Sequence, residues 1–169
     1  MSANAYAQSP DAKCPAPFAA LLSDKIFDRY PVVVSRSKPV PPHVLEGAAH
    51  TYRTVIRDQA REGPNFAGHY TLIQIGCGAA TSCVAIADAT TGRVYFPPNL
   101  RSASSLERDT GSFDLERLNY RIDSRLLIVA GVANEDEKTE GMTTYLWDGG
   151  KLRVLRSVPA ATLCKTPRR

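Results

Sequence analysis

His69 is the residue whose type and position most strongly suggest catalytic chemistry. It lies at the start of an alternating apolar segment, eight positions before Cys77, so that a thiol–imidazole pair could form a nucleophilic site. Oxidation of Cys77 would remove that nucleophile, and a hydrolase would then have to pair His69 with a carboxylate such as Asp88 or Asp123. The simpler interpretation is a structural histidine that donates to a backbone carbonyl and packs beside Tyr70.

The four cysteines of the chain decide whether a thiol is available. Their even number allows three pairings. Cys14 and Cys164 lie near opposite ends of the sequence, and because domain termini often lie close together, we expect a Cys14–Cys164 disulfide. Cys77 and Cys83 flank a short, turn-like loop. There is no Cys-x-x-Cys motif, which argues against a zinc ribbon and a thioredoxin-like redox pair. We therefore expect two disulfides in an oxidising compartment, with reduced, buried thiols in a cytosolic protein as the alternative.

Three arginines recur every four residues in the most helix-like segment, at Arg53, Arg57 and Arg61. This spacing places them on one face of a helix, where they could bind an acidic protein or an anionic cell-wall polymer. The alternative is a solvated helix flank paired with Asp58 and Glu62. Nucleic acid is not an expected partner, because the chain lacks the interleaved basic and aromatic residues of such binders.

The sequence predicts no metal site and no cofactor. His43, Glu46 and His50 share one helical edge, but without a His-Glu-x-x-His motif we interpret them as exposed polar residues. The acidic run 134–137, with Glu140, lacks the spacing of an EF-hand and is interpreted as a solvated loop. Phosphate-loop, dinucleotide-binding and Gly-x-Ser-x-Gly motifs are absent from the sequence.

Size and composition indicate one globular domain. The chain has 169 residues, 43% of them hydrophobic and 22% charged, which excludes a disordered, collagen-like or coiled-coil protein. The 21 basic and 17 acidic residues give a formal charge of +4. No apolar stretch approaches the about 20 residues of a membrane span. Ala5-Tyr6-Ala7 fits the pattern that precedes signal-peptidase cleavage. We expect residues 1–13 to be a disordered leader remnant, and residues 14–169 to form a single periplasmic or secreted domain.

Apolar periodicity predicts helices over residues 16–28 and 44–62, and Gly63-Pro64 is a stop signal for the second. The rest of the chain is typical of strands joined by turns, with a polar loop over 99–119 and a clear hairpin turn at Asp148-Gly149-Gly150. The predicted strands are 69–75, 83–88, 93–96, 120–122, 125–131, 143–147 and 152–155. Strand follows strand without intervening helices, which disfavours a parallel sheet. We therefore predict an α+β fold, with N-terminal helices packed on a curved, mainly antiparallel β-sheet of five to seven strands.

Several motifs lie between about residues 48 and 155. They are Gly63-Pro64-Asn65-Phe66-Ala67-Gly68-His69-Tyr70, Gly76-Cys77-Gly78, Cys83, Asp88-Ala89-Thr90-Thr91-Gly92-Arg93-Val94 and Asp123-Ser124-Arg125-Leu126-Leu127. In these motifs the chain resembles a family of uncharacterised exported bacterial proteins. The resemblance implies export, a Cys77–Cys83 disulfide and a β-rich core. It transfers no catalytic or binding residues to this sequence.

The absence of a catalytic motif favours binding over catalysis. We expect an exported, non-enzymatic binding protein, an inhibitor or immunity-type protein acting on a cell-envelope enzyme, whose partner is a protein. The candidate binding residues are Arg53, Arg57, Arg61, His69 and Tyr70, and the loops 99–119 and 133–141 are further recognition surfaces. The alternative is a small envelope hydrolase that uses His69 with Asp88 or Asp123.

Overall fold

The computed structural model describes residues 21–105 and 116–163, in which strands far outnumber helices. The helices are α1 (Asp24–Phe27), α2 (Gly47–Thr51), α3 (Arg53–Arg61) and α4 (Ala160–Leu163), with a 3₁₀ turn at Glu137–Thr139. The strands are β1 (Tyr70–Gly78), β2 (Thr81–Asp88), β3 (Val94–Tyr95), β4 (Ser102–Ser104), β5 (Leu118–Tyr120), β6 (Leu126–Ala133), β7 (Gly141–Trp147) and β8 (Leu152–Pro159).

The eight strands form one sheet in which every pairing is antiparallel. The order is β1-β2-β4-β6-β7-β8, with β3 beside β2 and β5 beside β6. Every residue of β6 is buried, which confirms the prediction of a central strand covered on both faces. The antiparallel sheet and the predicted hairpin between β7 and β8 are confirmed as well.

The sheet is strongly curved. Tyr70 on β1 and Trp147 on β7 have ring centroids 5.2 Å apart, although β2, β4 and β6 lie between their strands. Neighbouring strands are about 4.8 Å apart, so a flat sheet would hold these two rings far from each other. The concave face encloses the largest apolar cluster, to which all eight strands contribute a buried residue or a packed side chain. Trp147 and Phe66 are the largest of its fully buried side chains.

Helices cover the opposite, convex face. Ile56 of α3 is fully buried against the convex-face residues of β1 and β2. Phe27 of α1 and Ala160 of α4 pack over β6 and β7. At roughly 25 cal/mol per Å² of apolar surface, this burial is the main favourable contribution to folding. In β1, β2 and β6, residues that face the curved interior therefore alternate with residues that face the helices.

The outer edge of β1 is closed by two side-chain amides. Gln59 of α3 accepts a hydrogen bond from the backbone N–H of Gln74 at 2.9 Å and donates one to the Gln74 carbonyl at 2.7 Å. Asn65 makes the same pair of bonds with the backbone of Leu72, at 2.7 and 3.3 Å. Both residues therefore occupy hydrogen-bonding positions that a neighbouring strand would otherwise take.

The strand count of five to seven was too low, because β4 and part of β5 lie inside the segment predicted as a polar loop. The sequence of β4, Ser102-Ala103-Ser104, shows no apolar alternation, and the strand forms through pairing with β2 and β6. The predicted 44–62 helix is interrupted at Tyr52, whose φ of −100° and ψ of 18° separate α2 from α3. Leu45, an apolar residue near the start of that segment, is 81% exposed.

Several expectations concern residues outside the described ranges. They include the leader, the start of the predicted 16–28 helix, and the Cys14–Cys164 disulfide. Within the described part of that helix, α1 covers only Asp24–Phe27. No helix in the described ranges has the length and apolar character needed to cross a membrane.

Candidate functional site

Cys77 is joined to Cys83 in a disulfide that spans the tip of the β1–β2 hairpin. A bulge between Gly76 and Gly78 leaves Cys77 outside the regular register, while Cys83 lies opposite Ile75. With its sulfur in this bond, Cys77 has no thiolate to act as a nucleophile. The thiol–imidazole pair with His69 is therefore excluded in this oxidised form.

The structure brings His69 and Asp88 together. His69 Nε2 lies 3.7 Å from Asp88 Oδ1, beyond hydrogen-bond distance, and His69 is partly exposed while Asp88 is buried. The His69 backbone carbonyl accepts a hydrogen bond from Ala89, directly after Asp88. The imidazole stacks on the neighbouring Tyr70, with ring centroids 4.2 Å apart. This packing beside Tyr70 is the one that the structural interpretation of His69 predicts.

Asp88 organises the turn between β2 and β3. Its Oδ1 accepts hydrogen bonds from the Thr90 N–H at 2.8 Å, the Thr90 hydroxyl at 2.6 Å and the Thr91 N–H at 3.3 Å. Burial alone would raise the pKa of the Asp88 carboxyl, but these hydrogen bonds, with a smaller contribution from His69, outweigh burial and lower the pKa. Asp88 is thus held as a carboxylate that stabilises its own turn.

Asp123 does not join His69 in this arrangement. Both of its carboxylate oxygens bind the Arg121 guanidinium, at 2.9 and 2.6 Å. Hydrogen bonding from Arg121 lowers the pKa of Asp123. Of the two carboxylates predicted for a hydrolase, the structure therefore places only Asp88 beside His69.

Tyr70 belongs to an aromatic cluster on the concave side of the sheet. Trp147 is flanked edge-on by Tyr70 and by Tyr95, with ring centroids 5.2 and 5.3 Å away. Burial, with the Asp88 charge as the next cause, raises the pKa of Tyr70. The nearby Trp147 indole N–H acts in the opposite direction and lowers the pKa of Tyr70. It nevertheless lies outside the distance and angle limits of a hydrogen bond with any described residue. Because Tyr70 is also buried, its main role is packing and not contact with a partner.

A cationic cleft lies between α3 and the segment 38–42, which we call the proline segment. The cleft has a volume of about 490 Å³. Its lining residues are Lys38, Pro39, Val40, Pro41, Pro42, Arg57, Ala60 and Arg61. The other lining residues are apolar, three of them prolines, and no carboxylate among the described residues lines the cleft.

The predicted arginine stripe is only partly assembled at this cleft. Arg57 and Arg61 line it, whereas Arg53 does not and instead donates to the carbonyl of His50 at the break between α2 and α3. Arg61 also approaches Asp58 at 3.5 Å, an exposed pair of the kind that contributes little to stability. Within residues 21–105 and 116–163, Arg57 has no ion-pair partner, and neither does Lys38 on the opposite wall.

A second cleft adjoins the first and has a volume of about 780 Å³. It shares Val40, Pro41, Pro42 and Arg57 with the cationic cleft. Its other lining residues are His43, Val44, Leu45, Glu46, Ala49, Arg93 and Val94. We call this second space the neighbouring cleft. The Arg93 guanidinium also lies over the Tyr95 ring, 5.1 Å from its centre.

The Asp88 turn fixes the wall that the two clefts share. The Val40 N–H donates to the Ala89 carbonyl, and the His43 N–H donates to the Gly92 carbonyl, both at 2.7 Å. Gly92 has φ of +78°, and a Cβ there would lie 2.5 Å from the Pro41 carbonyl oxygen. Only glycine combines that backbone conformation with so close an approach. Asp88 therefore supports the proline segment through the turn that it organises.

The remaining candidate residues do not assemble into a metal site. Among the described residues, no group of three or more His, Cys, Asp and Glu side chains is placed to hold an ion. His43 and Glu46 both line the neighbouring cleft. In the acidic loop, Asn134 accepts hydrogen bonds from the Arg101 and Ser102 N–H groups, which ties the loop to the start of β4.

Sequence reasoning missed the proline segment and Arg93 as parts of the site. By sequence alone, Pro39, Pro41 and Pro42 indicate only that no central strand runs there. Lys38 immediately before them was the available signal for a basic, extended wall. Nothing in the sequence indicated Arg93, because its place in the same cleft as Arg57 depends on how the β2–β3 turn packs against the helices.

Comparison with known proteins gives no match. No family model fits the chain, and no curated protein and no solved structure is significantly similar to it. The fold and the candidate site therefore stand on their own geometry. They describe a curved antiparallel sheet with helices on its convex face and a cationic, proline-lined cleft at its surface.

Proposed function

We propose that this is an exported, non-enzymatic binding protein that holds an acidic segment of a protein partner in its cationic cleft. The observation that carries the proposal is the convergence of Lys38, Arg57 and Arg61 on one apolar cleft that no carboxylate of residues 21–105 and 116–163 lines. Lys38 and Arg57 have no ion-pair partner within the described ranges. Two unpaired cations on facing walls favour an incoming anion.

The apolar lining of the cationic cleft favours a protein ligand over a simple ion. Three prolines and Val40 form much of the lining, and such a surface gains affinity from burying aliphatic groups of the ligand. Prolines also fix φ, so the wall is ordered before binding and little conformational entropy is lost. A partner segment that combines carboxylates with apolar side chains matches both properties. An inhibitor or immunity-type protein acting on a cell-envelope enzyme is the role we assign to such binding.

Export is part of the proposal. It is supported by the Cys77–Cys83 disulfide, since disulfides persist in oxidising compartments. It is supported as well by the Ala5-Tyr6-Ala7 pattern and by the resemblance to exported bacterial proteins. Fractionation of the native host, followed by detection of the protein in the periplasm or medium, tests this part. Recovery of the bulk of the protein from the cytosol would contradict it.

The binding proposal is tested with a fluorescein-labelled hexaglutamate peptide in a fluorescence anisotropy titration at low salt. We expect the double variant R57E/R61E to bind the peptide at least about ten-fold more weakly than the wild type, because two attractive contacts become repulsive. The matched control is R153E/R156E, which makes the same charge change at two exposed arginines of β8. Equal losses in both double variants, or no binding by the wild type, would overturn the proposal.

A second candidate function is a small hydrolase centred on His69 and Asp88. The 3.7 Å separation of their side chains is the observation in its favour. Against it, the oxygen of Asp88 that faces His69 already accepts three hydrogen bonds from its turn. The variant His69→Ala distinguishes a catalytic from a structural His69. If His69 is catalytic, the variant loses hydrolase activity at an unchanged melting temperature. A structural His69 lowers the melting temperature and leaves binding of hexaglutamate intact.

A further inference from the structure

We infer that the partner segment is extended and lies along both clefts, placing an apolar side chain against Leu45 between two acidic ends. This inference depends on the proposed function, since it assigns the ligand class of the same site. Its basis is that the cationic and neighbouring clefts share Val40, Pro41, Pro42 and Arg57. Two clefts with four common lining residues form one continuous groove, with Arg57 where they meet.

The direction of the groove follows the chain itself. Its wall is lined by every residue from Lys38 to Glu46, three of which are prolines that cannot enter a helix interior. The hydrogen bonds from Val40 to Ala89 and from His43 to Gly92 hold this wall against the β2–β3 turn. A ligand that contacts the whole wall must itself be elongated, whereas a compact anion would fill only one cleft.

Charge is distributed along the groove in a defined order. Lys38 and Arg61 line the cationic cleft, Arg57 lies at the junction, and Arg93 lines the neighbouring cleft together with His43. In the part of the chain that the structure describes, Glu46 is the one carboxylate that lines either cleft. The groove therefore attracts acidic groups at two separated places and disfavours an acid beside Glu46.

Apolar surface in the groove belongs to the shared wall and to the neighbouring cleft. Leu45 is 81% exposed and Val40 is 39% exposed, and both line the neighbouring cleft with Ala49. A leucine so exposed gives nothing to the stability of the described fold, but burying it under a ligand removes apolar surface from water. The partner residue that contacts Leu45 is therefore apolar, and the partner segment has acidic residues on both sides of it.

The test compares two labelled peptides of equal charge, hexaglutamate and the nonapeptide Glu₃-Leu-Val-Leu-Glu₃. On the wild type we expect the nonapeptide to bind at least about ten-fold more tightly, because only it buries aliphatic side chains against the groove. The variant Leu45→Ser should bind the two peptides with nearly equal affinity, because it removes the apolar contact. The matched control is Val33→Ser. Val33 is another exposed apolar residue, 88% exposed, and it does not line either cleft.

The outcomes separate the two proposals. Loss of hexaglutamate binding in R57E/R61E, together with equal affinities for both peptides in the wild type, keeps the acidic cleft and overturns the extended ligand. Equal effects of Leu45→Ser and Val33→Ser overturn it too. A polysaccharide ligand is tested by competition. If polygalacturonate displaces the labelled nonapeptide as effectively as the unlabelled nonapeptide does, the groove binds a polysaccharide and this inference is wrong. A concentration-dependent dimer, seen by sedimentation and lost in Leu45→Ser, would assign the groove to a second copy and also contradict it.

Discussion

The side chain of Gln59 makes both hydrogen bonds of a strand partner with the backbone of Gln74, at 2.9 and 2.7 Å. Through this contact α3 is attached to the edge of the sheet as well as to its convex face. The two attachments differ in kind, since Ile56 contributes buried apolar surface while Gln59 contributes directional hydrogen bonds. The position of Arg57 and Arg61 relative to the proline segment depends on both.

Replacing Gln59 by leucine should destabilise the fold. The substitution keeps the side-chain size but leaves the Gln74 N–H and carbonyl without their partner, which costs about 1–3 kcal/mol for a partly buried pair. Urea unfolding followed by Trp147 fluorescence measures the change. Thr54→Leu, at an exposed position of the same helix, is the control and should change stability much less. Equal stability of Gln59→Leu and wild type would show that the amide contacts contribute nothing.

Gly92→Ala should loosen the proline segment. The added methyl group would meet the Pro41 carbonyl oxygen at 2.5 Å, and alanine is strained at φ of +78°. We expect a lower melting temperature together with at least about five-fold weaker hexaglutamate binding, since strain of about 1–3 kcal/mol must be relieved at the groove wall. Gly150→Ala is the matched control, because a Cβ at Gly150 meets nothing within 4 Å. If both variants behave like the wild type, the turn does not support the groove.

Asp88 should make stability dependent on acid pH. Hydrogen bonds in the turn lower the pKa of its carboxyl in the folded state, against the opposing effect of burial. Its contribution is therefore complete above the unfolded-state pKa of about 4, and it is lost as the pH falls through the lower folded-state pKa.

The variant Asp88→Asn measures this contribution. The free energy of unfolding should be lower in the variant than in the wild type at pH 7, and the difference should shrink as the pH falls below about 4. The lowered pKa of Asp123 affects both proteins equally and cancels in the comparison. A difference that stays constant from pH 7 to pH 3 would show that the carboxylate charge is not involved.

The double variant C77S/C83S should lose stability without losing the hairpin. Its disulfide closes a short loop, with a sequence separation of 6, for which chain entropy gives about 2 kcal/mol. Guanidinium unfolding in the absence of reductant measures the loss. The companion variant C14S/C164S tests the second expected disulfide, whose longer loop should give a larger loss. Non-reducing peptide mapping checks both pairings, and a Cys77 peptide linked to Cys14 or Cys164 would contradict them.

The parts of the fold that were predictable are those specified by local pattern. Continuous apolar sequence identified β6, and Asp148-Gly149-Gly150 identified the β7–β8 hairpin. The strand at Ser102–Ser104 was missed because its small polar residues acquire strand geometry only from β2 and β6 on either side. The break at Tyr52 was missed for a similar reason, since the 44–62 segment keeps helical periodicity across it.

The candidate site was predictable to a lesser degree. Helical spacing placed Arg53, Arg57 and Arg61 on one helix, and all three lie in α3, but only Arg57 and Arg61 line the cleft, while Arg53 at the start of α3 donates to the His50 carbonyl. Asp88 and Asp123 were both candidates to pair with His69. Nothing in the sequence showed that Arg121 binds the Asp123 carboxylate instead. The first case depended on where the proline segment meets α3, and the second on the local Arg121–Asp123 pair, neither of which the sequence pattern specified.

The central position of β6 has a consequence for the order in which the chain can fold during synthesis. β1 and β2 leave the ribosome well before residues 126–133, yet they share the concave core with β6 and β7. Until those later residues emerge, the inner side of the first hairpin lacks the buried side chains of β6, β7 and β8 and can pack only on earlier residues such as Phe66 and Leu100. The nascent protein therefore passes through a stage in which most of its apolar interior is still open, and a chaperone that recognises such surfaces would meet it before the last quarter of the sequence has been made.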